Sequence, residues 1–82
     1  MRELMLFQAG GYRLALGLEP VRGIHSLGDL RPAGPGRCRL EGREMDLHDL
    51  ARRLGGPGSE AAHPRVIRME VAETSVALRV DI

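Results

Sequence analysis

The feature that most narrows the choice of fold is the strict alternation in the last third of the chain. Ile67, Met69 and Val71 alternate with Arg68 and Glu70, and Val76, Leu78, Val80 and Ile82 alternate with Ala77, Arg79 and Asp81. A period of two puts one set of side chains on one face of an extended strand, so the segment reads as a β-hairpin with its turn at Glu73-Thr74. The alternation runs to Ile82, so the final strand, Ser75 to Ile82, is expected to be an edge or a strand completed by another chain.

Two further hairpins are legible upstream. Leu4 to Phe7 is continuously apolar, Ala9-Gly10-Gly11 supplies turn residues, and Tyr12, Leu14, Leu16 and Leu18 then share one face. The opposite face carries Arg13, Ala15 and Gly17, small enough for something to pack closely over it. Cys38 and Leu40 precede a Glu41-Gly42 turn, and Met45 and Leu47 follow it. Between these hairpins, Pro20 predicts a bend or short helical turn over Glu19 to Arg22, leading into Ile24 and Leu27, and the stretch Gly28 to Gly36 reads as a loop. After the second hairpin the period changes: Leu47, Leu50, Ala51 and Leu54 fall at helical spacing before Gly55-Gly56, which predicts a short amphipathic helix. Pro57 to Pro64 reads as a flexible loop. With no βαβ spacing, this order favours an all-β chain, a small β-barrel of three hairpins with one short helix.

With 82 residues, the chain has room for one modest core that leaves about 3–5 kcal/mol of net stability. Its single cysteine, Cys38, excludes an internal disulfide, and His25, His48 and His63 have no ligand-like spacing, so a partner or a second copy is the expected support. The 12 basic and 11 acidic residues are mixed along the chain, and Phe7 and Tyr12 are its only aromatic residues, which argues against nucleic acid. Every basic residue other than histidine is arginine, a matter of composition or of forked contacts at a protein interface. No apolar run reaches the roughly 18 residues of a membrane span, so the chain is read as cytoplasmic, without direct membrane insertion.

Chemistry is largely absent from the sequence. It contains no G-x-S-x-G turn, no phosphate-binding glycine loop and no lysine, which removes nucleophile-elbow, P-loop and Schiff-base reactions. His48 and Asp49 are neighbours with no nucleophile in register, and read as solvated surface. Glu41, Glu44, Asp46 and Asp49 fit no calcium loop and read as a charged hairpin. Cys38 lies between Arg37 and Arg39, which favours a thiolate, but it keeps the apolar phase of Leu40 and reads as core. No catalytic residue, metal ligand or cofactor is expected.

Three segments carry a family resemblance. Leu18-Glu19-Pro20-Val21-Arg22-Gly23 is followed by the run Arg39-Leu40-Glu41-Gly42-Arg43-Glu44-Met45-Asp46-Leu47-His48-Asp49-Leu50, then Ala51-Arg52-Arg53-Leu54-Gly55, and Val80-Asp81-Ile82 comes last. In order and spacing these resemble the CheW-like family of chemotaxis adaptors, whose pattern has Val-Arg-Gly or Ile-Arg-Gly after the first hairpin, Leu-Arg-Gly at the second turn, and a late Val-Asp strand. The resemblance covers nearly the whole chain and implies an SH3-like barrel, no enzymatic activity, and a scaffolding role in a bacterial chemosensory array.

The departures matter too. Family members normally continue past the Val-Asp strand to complete a second barrel, so residues 1–82 are expected to be a single truncated domain lacking it. The arginine of Leu-Arg-Gly is replaced by Glu41, which reverses the charge in the region where the family contacts a chemoreceptor tip. A shortened member of this kind resembles the small accessory adaptor of a gliding-motility pathway. The resemblance implies binding to a chemoreceptor signalling tip or another CheW-like adaptor, with weak or no binding to the histidine kinase. The expected contact residues are Val21, Arg22, Ile24 and Leu27, with Arg39, Glu41 and Arg43. The alternative is a structural homodimer formed by exchange of the terminal strands.

Overall fold

A computed structural model describes residues 3–55 and 64–81. The three hairpins form where alternation and turn residues place them. The first joins β1 (Leu4–Ala9) to β2 (Tyr12–Gly17), the second joins β5 (Arg37–Leu40) to β6 (Arg43–Asp49), and the third joins β7 (Pro64–Val71) to β8 (Thr74–Asp81). The described residues also form β3 (Val21–Ser26), a 3-10 turn at Leu27–Asp29, β4 (Arg31–Pro32) and one helical turn, α1 (Leu50–Arg53). This is the mostly β architecture expected, with one short helix.

The first and third hairpins have the same design. Each turns through two residues in the left-handed region, Gly10 and Gly11 at φ 58° and 83°, and Ala72 and Glu73 at φ 50° and 64°. That geometry matches the right-handed twist of paired strands, and glycine adopts it without strain. At the same distance past the turn, β2 reads Leu14-Ala15-Leu16 and β8 reads Val76-Ala77-Leu78. The third turn thus lies at Ala72-Glu73, one residue earlier than the sequence predicts.

The largest correction concerns the last strand. β8 lies inside the sheet: one edge pairs with β7 from Val71↔Thr74 to Pro64↔Asp81, and the other pairs in parallel with β6 over Val76–Arg79 and then meets β1 at Gln8↔Asp81. The strand therefore has no free edge of the kind that motivated exchange between copies; Ile82 itself lies outside the described residues. The sheet runs β2-β1-β8-β6-β5-β4, with β7 on the other side of β8 and β3 outside β7.

Two local expectations also change. The segment after Pro20 is a strand: β3 pairs with β7, and a register shift between Val21 and Gly23 explains why its apolar positions, Val21 and Ile24, are three residues apart. Leu47 belongs to β6, where it pairs opposite Ala77, so the helix shrinks to one turn; Asp49 caps it by accepting a 3.4 Å bond from the Arg52 amide. The loop expected from Gly28 contains the end of the 3-10 turn and β4. Most of the loop predicted over Pro57 to Pro64 lies outside the described residues.

The β7–β8 ribbon is buried on both faces. Val66 and Ala77 pack with Cys38, Leu40 and Met45 under the second hairpin, with Leu27 and Leu30 against them. Ile67, Met69 and Val80 pack on the other side with Phe7, under the inner face of the first hairpin. Burying the ribbon on both sides accounts for alternate strand residues that are all apolar or half-buried.

Candidate recognition surface on the third strand and second turn

Strand β3 enters through Pro20, whose carbonyl accepts the Glu70 amide at 2.9 Å. At the bulge, Arg22 donates through Nη1 to the Glu19 carbonyl at 2.7 Å and lies 3.4 Å from Glu70 Oε2 through Nε. Val21 packs on the second core and Leu27 on the first. Ile24 pairs opposite Ile67 yet is 51% exposed. His25, opposite Val66, points to the other face of the strand. The sequence-derived set therefore divides: Arg22 and Ile24 are displayed, Val21 and Leu27 pack inward, and of the turn residues Glu41 meets His25 on the other face. Among the described residues β3 pairs only with β7, so its outer edge is open.

On the second hairpin, Cys38, Leu40 and Met45 point inward and Arg37, Arg39, Glu44 and Asp46 alternate outward, while Arg43 pairs with Leu40 at the end of the ladder. Arg37 donates to Asp46 at 2.8 Å and Arg39 to Glu44 at 2.7 Å, each directly across the ladder. These pairs engage Asp46 and Glu44, two of the four acids clustered on the hairpin. Arg43 is exposed and has no ion-pair or hydrogen-bond partner among the described residues. Beside it a shallow concavity of about 410 Å³ is bounded by Glu44, Glu73 and Thr74.

Glu41 opens the turn with φ 53°. Its Oε1 lies 3.4 Å from His25 Nε2 and its Oε2 lies 3.8 Å from Arg68 Nη2. Neither approach is a hydrogen bond, and His25 Nε2 and Arg68 Nε are buried with no hydrogen-bond partner among the described residues. Sequence reasoning missed both residues. The alternation of β7 marks Arg68 as facing away from Ile67, but only the register Gly23↔Arg68 and His25↔Val66 puts the two side chains on one face.

Burial raises the Cys38 thiol above its ordinary value of 9.0; Arg37 opposes this shift and Asp46 adds to it. Such a thiol is held protonated and unreactive. His48 Nδ1 is 2.7 Å from Arg53 Nη2, so the His48-Asp49 pair is occupied by the helix that follows.

A family model for the CheW-like domain matches residues 3–82. No curated protein and no solved structure matches the chain. Domains of this family are non-catalytic adaptors of chemosensory signalling that bind chemoreceptors and kinases in general. With its motifs in order and its hairpins in place, this chain belongs to the CheW-like domain family.

Proposed function

We propose that this chain is a receptor-side adaptor in a bacterial chemosensory array. It engages a chemoreceptor signalling tip, or another CheW-like protein, along β3 and the β5–β6 turn, with weak or no coupling to the histidine kinase. The supporting observation is the edge of β3, open among the described residues, with Ile24 exposed on that strand; Arg43, without a partner among the described residues, is a separate displayed group on the β5–β6 turn. An exposed apolar side chain suits an apolar patch on a partner, and an exposed guanidinium suits an acidic one.

No helix among the described residues is long and apolar enough to cross a membrane. In this reading the adaptor meets the receptor at its cytoplasmic tip. Nothing in the geometry singles out a gliding-motility pathway, and the proposed role is that of a chemosensory adaptor in general. The test is a calorimetric titration of the chain against a soluble receptor-tip fragment and, separately, against the regulatory domain of the cognate kinase. Binding to the tip alone is expected; binding to the kinase domain with equal affinity overturns the receptor-side assignment.

A further inference from the structure

Residue 41 stands in an awkward place for a glutamate. Its backbone is left-handed, a conformation that strains a residue with a Cβ and that asparagine or glycine fills more readily. What a glutamate adds there is reach. One carboxylate oxygen faces His25 on β3 and the other faces Arg68 on β7. The side chains of those two residues are only 15% and 16% exposed, whereas that of Glu41 is 55% exposed, so the acid lies over two inward-facing nitrogen groups like a lid. The next acid along β7, Glu70, faces Arg22. Glu41 is thus the acid that the described ion pairs give to His25 and Arg68.

We propose that Glu41 is a positioning residue. Its carboxylate, shared between His25 and Arg68, fixes the β5–β6 turn against β3 and β7, and the sign of the charge at position 41 is set from inside the chain. A partner then reads the turn through Arg43, while the Glu41 carboxylate is engaged by His25 and Arg68. The bearing of this clamp on binding rests on the adaptor reading above; the clamp itself does not.

The test is amide hydrogen exchange in the full chain, read at Arg43, whose residue closes the hairpin opposite Leu40. Opening of the turn accelerates that exchange. Because the carboxylate is more than half exposed, solvent screens it and the effect is modest. Glu41→Gln is expected to speed exchange about threefold and Glu41→Arg about tenfold, since the latter sets like charges together. Pairing Glu41→Arg with Arg68→Glu restores an opposite-charge contact and is expected to return the rate to within about twofold of wild type, a coupling that a plain surface residue lacks. Unchanged exchange in Glu41→Gln, or a double variant no slower than Glu41→Arg, overturns the proposal. If Glu41→Arg does not fold, recovery of a folded double variant supports the clamp and its failure to fold counts against it. A receptor-tip titration separates the two readings: Glu41→Gln that weakens tip binding with unchanged exchange places Glu41 in the interface and overturns the positioning role.

Discussion

Leu6 and Phe7 are consecutive in β1 and face opposite ways: Phe7 is 6% exposed in the core under the first hairpin, and Leu6 is 73% exposed on its outer face. Phe7→Ala is expected to cost about 3–5 kcal/mol, comparable with the whole stability of a domain this small. Leu6→Ser is expected to stay within about 0.5 kcal/mol of wild type. Urea unfolding followed by circular dichroism checks both, and equal losses would put the inner face of β1 in the wrong place.

The third turn is open to improvement. Ala72 and Glu73 both hold left-handed backbones that Asn-Gly prefers. Replacing Ala72 by Asn and Glu73 by Gly is expected to stabilise the fold by about 1 kcal/mol, or to raise the midpoint of thermal unfolding by about 4–8 °C. A lower midpoint would mean that the turn is not of this type.

Neighbouring glycines in the first turn should behave differently. A Cβ at Gly10 would lie 3.2 Å from the Ala51 carbonyl oxygen, whereas one at Gly11 meets nothing within 4 Å. Both have positive φ, so alanine is strained at either position. Gly10→Ala adds a contact with the start of the helix and is expected to be the more destabilising by about 1 kcal/mol. Thermal melts of the two variants make the comparison directly.

Cys38 sets a pH dependence. Its thiol is raised in the folded chain, so above the unfolded value the native state holds a proton that the unfolded state has lost. The stability this group contributes is full below that value and is lost as pH rises through the folded one. Urea midpoints are therefore expected to fall above about pH 9, and less so in Cys38→Ala. A thiol reagent should leave Cys38 untouched in the native chain at pH 8 and label it after denaturation.

Arg43→Glu tests the displayed charge of the second turn. Reversing it is expected to weaken receptor-tip binding about tenfold at low salt, mostly through slower association, with little effect on folding. Surface plasmon resonance at two ionic strengths reads both effects. Unchanged association would remove Arg43 from the interface.

The hairpins were legible because each couples a period of two to a turn signal, and Glu41-Gly42 even fell at the right residues. Strand β3 was not, because the bulge beside Arg22 breaks its period and Pro20 looks like a stop. Leu47 was drawn into a helix because spacing alone cannot say whether a backbone is already held by a parallel neighbour such as β8. The candidate surface was legible residue by residue but not in its grouping. Val21 and Ile24 carry the same signal in the sequence, and only packing separates the half-buried one from the exposed one. The contact of Glu41 with His25 and Arg68 joins three segments distant in the chain, and no local pattern announces it.

The position of β8 also has a consequence for how the protein is made. This strand is paired with β7, β6 and β1, so the ladders that join the first two hairpins to the rest require residues that leave the ribosome last of those described. Two-stranded hairpins are at best marginally stable in water. Until β8 has emerged the inner faces bearing Phe7 and Leu40 therefore stay uncovered, and folding is a nearly all-or-none event, slowed by its dependence on long-range pairing.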